Sequence, residues 1–168
     1  LREDMTTNIA TTKEQSARLL QCGVSAESAD MHWHGAIVPR GGSLTSPPEP
    51  SEEWDLFNSP YGFMPEEMQK AKLMEDYNEI IPAWSLSAML GLLPKEIAIS
   101  GYTYRISIYF ENPDEPVLGN QWCLYYKPKK HNEKSRIDDV PMYAPDLIDC
   151  AVLMIEWLTA NNYKLNKL

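Results

Sequence analysis

Nine residues, Tyr102–Phe110, read "YTYRISIYF" and alternate so regularly that they settle one strand before any other element. Tyr102, Tyr104, Ile106, Ile108 and Phe110 share one side, and Thr103, Arg105, Ser107 and Tyr109 share the other. Successive side chains of a strand point to opposite faces, which is the physical content of that pattern. "ENPDEPVLGN" then supplies turn chemistry, and "QWCLYYK" returns as the antiparallel partner. The apolar side of such a hairpin needs cover, and the rest of the chain supplies amphipathic helices for it.

The widest apolar stripe lies in "PDLIDCAVLMIEWLTANN". Leu147, Cys150, Ala151, Met154, Ile155 and Leu158 recur at three- and four-residue spacing, and Asp146 and Asp149 sit at the positive end of this C-terminal helix. An earlier helix opens at Thr12, where Gln15 completes a capping box, and stops at Gly23. "SAESAD" adds a further turn. "MPEEMQKAKLMEDY" reads as a helix with proline at its first position and glutamates in its first turn.

"PAWSLSAMLGLLP" combines serines with a tryptophan and invites comparison with a catalytic site. Ser85 fits a helix N-cap, Trp84 and Met89 fit a hydrophobic staple, and Pro94 ends the helix at Leu93. The serines therefore read as a cap and a solvent-side residue.

"MHWHGAIVPR" alternates as a strand, with His32, His34, Ala36 and Val38 on one side. Residues 41–60, rich in proline, serine and acids, read as a surface loop within a variable insert over 39–78. Residues 1–10 read as a flexible tail. The expected architecture is a single α+β domain over 1–168, a small antiparallel sheet of three or more strands with helices on one face.

Composition excludes more than it suggests. The net charge of −9 opposes contact with phosphate backbones. No apolar run is long enough to span a membrane, and "LREDMTTNIATTKEQ" lacks the basic-then-apolar pattern of a secretory leader. Cys22, Cys123 and Cys150 are scattered and odd in number, which favours reduced thiols and a cytoplasmic location over a disulfide framework.

His32 and His34 form the best metal candidate: on a strand their side chains lie on one side, ~7 Å apart, and could share an ion. A third ligand is not evident. No GxSxG elbow, phosphate loop or cysteine–histidine pairing marks a catalytic centre, and no cofactor is expected. The helix–Gly23–helix arrangement fails as a helix-turn-helix, because "SAESAD" carries acids where base-reading side chains belong. The basic cluster "KPKKHNEKSR" (Lys127–Arg136) lies beside Tyr125 and Tyr126 and offers a nucleic-acid alternative. A connector whose lysines protect a sheet edge fits an acidic chain better.

"TTKEQSARLLQCGVSAESADM", "PAWSLSAMLGLLP" and "DLIDCAVLMIEWLTANN" resemble a group of small uncharacterised proteins from gut bacteria of the Bacteroides type and from their phages and mobile elements. The "WSLSAMLGLLP" string carries most of the likeness, and residues 39–78 fall outside it. The resemblance implies a cytoplasmic accessory protein and brings no catalytic residue with it.

The function expected is therefore non-enzymatic protein interaction. Arg105, Tyr109, Lys127, Lys129 and Lys130 are the candidate interaction surface, and a homodimer through an uncovered sheet face is a further expectation.

Overall fold

The computed structural model describes residues 9–38, 49–58, 78–111, 121–129 and 140–167. They form a mixed α+β fold with two antiparallel sheets where the sequence suggested one. The first sheet has the order β2-β1-β3, from β1 (Met31–Val38), β2 (Glu49–Phe57) and β3 (Asn78–Ala83). The second runs in chain order: β4 (Glu96–Ile99), β5 (Tyr102–Glu111), β6 (Gln121–Pro128) and β7 (Val140–Ala144). Three α-helices accompany them: α1 (Lys13–Gln21), α2 (Leu86–Leu92) and α3 (Leu147–Ala160).

The central hairpin has the register its alternation demands. Ile106 lies opposite Tyr126, Ile108 opposite Leu124 and Phe110 opposite Trp122, all on the face toward the helices. Helix α3 packs on β6 and β7, while α1 and α2 both pack on α3. Leu19, Trp84, Met89, Leu124, Tyr126, Ile155 and Leu158 are buried together in the resulting core. The stripe on α3 is wider than the spacing of its strongest apolar residues implied, since Ile148 and Val152 are buried as well.

Local chemistry fixes the helix ends. Thr12 and Gln15 make the reciprocal capping box, and Gly23 takes φ +84° just past the end of α1. A single 3-10 turn, Ala26–Ser28, follows it in "SAESAD". The Asp146 carboxylate accepts from the Ile148 N–H at 2.6 Å at the start of α3. Leu93 leaves α2 with ψ 127°, the extended geometry that the following proline requires.

Four strands were not evident from pattern. β2 occupies 49–57, inside the stretch read as a surface loop, and pairs with β1. Proline sits within β2 (Pro50), β3 (Pro82) and β7 (Val140–Ala144, containing Pro141), and each of these is an edge strand. An edge strand has one side free of ladder bonds, so a missing N–H is tolerated there. β4 is joined to β5 by Ser100 and Gly101, at φ 49° and 84°, a two-residue turn whose twist matches the flanking strands.

Of the stretch read as a tail, residues 1–8 lie outside the described residues, Ile9 is exposed, and Ala10 belongs to the fold. Ala10 is buried and bridges to Ser85, and the Thr11 N–H donates to the Trp84 carbonyl at 2.9 Å. The helix read over 64–77 and the basic residues from Lys130 to Arg136 lie outside the described residues.

Candidate functional site

The helices cover one face of the four-stranded sheet, and the other face carries the predicted interaction residues. Register places Arg105 between Glu96 of β4 and Lys127 of β6, forming a charged row across three strands. The Glu96 carboxylate receives the Arg105 guanidinium at 3.1 Å and the Lys129 ammonium at 3.0 Å. Those hydrogen bonds, from Lys129 first and then Arg105, hold the Glu96 carboxyl below the usual carboxylate range. Lys127 is exposed and makes no ion pair with a carboxylate among the described residues.

Beyond this row, the same face becomes aromatic. Tyr109, Tyr125 and Tyr143 project from three adjacent strands, with Ser107 opposite Tyr125. Tyr109 and Tyr125 meet edge to face, with ring centroids 5.3 Å apart. Cys123 lies between Tyr109 and Tyr143 in the ladder, and their hydroxyls are 3.4 Å apart. Cys123 is fully buried, although its register places it on the outer face. The alternation in "QWCLYYK" puts Cys123 and Tyr125 on that face, but the part played by Tyr143 depends on the pairing of β7.

Arg105, Tyr109, Lys127 and Lys129 are thus brought together; Lys130 lies outside the described residues. The sequence singles out Tyr125 only as a neighbour of the basic cluster, and Tyr143 not at all. Tyr125 was legible from alternation alone, whereas no local signal reveals the strand that holds Tyr143.

His32 and His34 do share a side of β1, but the Phe57 ring from β2 lies against both. It stacks on His32 at 5.3 Å and meets His34 edge-on at 5.8 Å. Among the described residues no third histidine, cysteine or carboxylate joins them to make a metal site. His32 is almost fully buried and packs as a ring rather than being presented to solvent.

The serines have structural partners. Ser85 Oγ accepts from the Ala88 N–H at 3.2 Å and donates to Asp30 Oδ2, while the Ser85 N–H donates to Asp30 Oδ1 at 2.8 Å. The Trp84 indole donates to Ser28 Oγ at 2.9 Å. Ser25 and Ser28 line an open cleft of about 390 Å³ with Leu92, Leu165 and Lys167. Their hydroxyls serve the adjacent turn and Trp84, so neither is paired with a base. Cys150 lies on the buried face of α3, toward the Trp122 carbonyl, and burial pushes its thiol up to about 11 and away from nucleophilic use.

The class of molecule that these features define is a mixed α+β protein whose described helices pack on one face of its four-stranded sheet. No family model, curated protein or solved structure matches the chain. No helix among the described residues is long and apolar enough to cross a membrane.

Proposed function

We propose that this chain is a non-enzymatic interaction protein that binds a protein partner on the outer face of the β4–β7 sheet. The observation that carries this reading is the gathering of half-buried Tyr109 and Tyr125 and exposed Tyr143 with exposed Arg105 on the outer face of this sheet. Tyrosine and arginine dominate binding energy at protein interfaces, because each combines a large contact area with a hydrogen-bonding end. The edge-to-face packing of Tyr109 on Tyr125 holds two of the rings in place without a ligand, which lowers the ordering cost of association. The accessory role implied by the "WSLSAMLGLLP" resemblance is compatible with it.

A photo-crosslinking amino acid at position 107, in the middle of the face, tests the proposal in an extract of the native host. The expected result is a discrete protein adduct that is absent when the crosslinker replaces the exposed Ala17 on α1. It should also be lost on Tyr109→Ala combined with Tyr143→Ala. Adducts of equal yield from both positions, or adducts that survive the double substitution, refute the docking face.

A further inference from the structure

Resting on that docking face, we infer that its occupant is an acidic segment of another protein. The sign of the charged row at one end of the face differs from that of the molecule. Arg105, Lys127 and Lys129 against Glu96 give three positive charges and one negative, +2, on a chain whose total is −9. Glu96 is already engaged by Arg105 and Lys129, so a ligand carboxylate meets Lys127 and the outer side of Arg105 without competing against another acid among the described residues. Arg105 keeps 56% of its side chain exposed despite that contact.

The tyrosines extend the same chemistry. Their rings offer apolar contact to the stems of glutamate or to an interleaved aromatic. The net charge of −9 disfavours an acidic ligand in general, whereas this row attracts it, so charge favours one orientation of encounter. A second copy of the chain is the poorer occupant, because two bodies of −9 repel one another. Single-stranded nucleic acid fits less well too: Tyr109 and Tyr125 stand at 89° to each other and do not form the flat platform on which successive bases stack.

The test is fluorescence anisotropy on the full chain, with a short labelled peptide of alternating glutamate and tyrosine as probe. A lysine-for-glutamate peptide and oligo(dT) serve as comparators. The acidic peptide should bind and weaken by about tenfold between about 50 and about 300 mM NaCl, as exposed charge pairs are screened. Arg105→Glu with Lys127→Glu should remove at least about tenfold of the affinity, the loss expected when like charges face each other, at unchanged melting temperature. Neutral Arg105→Gln with Lys127→Gln, which creates no repulsion, should give a smaller loss and covers the case in which the charge-reversed protein misfolds. No binding of the acidic peptide at low salt overturns the inference, as does equal binding by the neutral variant. Tighter oligo(dT) binding that competes at the same face assigns nucleic acid instead and overturns it. A concentration-dependent dimer that excludes the peptide assigns a second copy and also overturns it. The crosslink from position 107 stands apart from these outcomes: an adduct without acidic-peptide binding sinks the acidic partner but keeps the docking face.

Discussion

Replacing Ser85 by alanine separates what a helix cap contributes from what the tertiary structure adds to it. As a cap alone, the hydroxyl satisfies the Ala88 N–H, and its loss costs about 1 kcal/mol. The same hydroxyl also donates to Asp30, whose other oxygen takes the Ser85 N–H. A hydrogen bond to a carboxylate contributes about 1.5 kcal/mol at the low end of its range, the appropriate end for a half-buried acid. Ser85→Ala is therefore expected to cost about 2.5 kcal/mol in total, on the order of 7 °C in melting temperature for a chain of this size. Urea denaturation of the wild type, Ser85→Ala, Asp30→Ala and the double variant gives the coupling directly. The cycle should return about 1.5 kcal/mol between the two positions, with unchanged m-values. A cost near 1 kcal/mol with no coupling would show that Asp30 adds nothing and that the cap acts alone.

Other contacts give sharper or weaker expectations. Tyr126→Phe removes a 2.6 Å hydrogen bond to the Pro94 carbonyl and should cost about 1 kcal/mol by urea denaturation; a neutral result would mean that water replaces the phenol at no penalty. Arg18 grips Glu156 through two short bonds of 2.7 and 2.6 Å, yet both side chains are partly exposed. Arg18→Gln should accordingly cost less than about 1 kcal/mol, with the effect shrinking in high salt, and a salt-independent loss several times larger would refute that assignment. Burial raises Cys150 from its ordinary value near 9 to about 11, so its contribution to stability is complete below pH 9 and fades as pH rises toward 11. Burial raises the Tyr126 phenol as well, with its loss beginning above its ordinary value of 10. Urea midpoints should therefore fall on the alkaline side, and less steeply between pH 9 and 11 in Cys150→Ala; identical slopes for variant and wild type would rule out the thiol as a source.

The candidate site was partly legible from the start. Arg105, Tyr109 and Lys127 are candidates from the sequence alone, and the ladder to β6 sets Lys127 across from Arg105. Tyr143 could not be found, because its strand has five residues and includes Pro141, so no period distinguishes it from a turn. The histidine pair shows the opposite case. Spacing correctly placed both rings on one side of β1, but spacing carries no information about Phe57, which arrives from another strand and packs against them.

The amino-acid sequence by itself determined what is governed by nearest neighbours along the chain. The capping box at Thr12, the Ser85 cap, the stop at Pro94 and the alternation of β5 all depend on contacts within a few residues. Beyond the β5–β6 hairpin, tertiary structure alone decided which strands pair and where each sheet ends. Pro50, Pro82 and Pro141 look like breaks in the chain, yet each lies in a strand because an edge position needs ladder bonds on one side only. It likewise decided that the helices gather on one face of β4–β7, leaving Tyr109, Tyr125 and Tyr143 together on the other. That grouping depends on residues far apart in the chain, which no local pattern encodes.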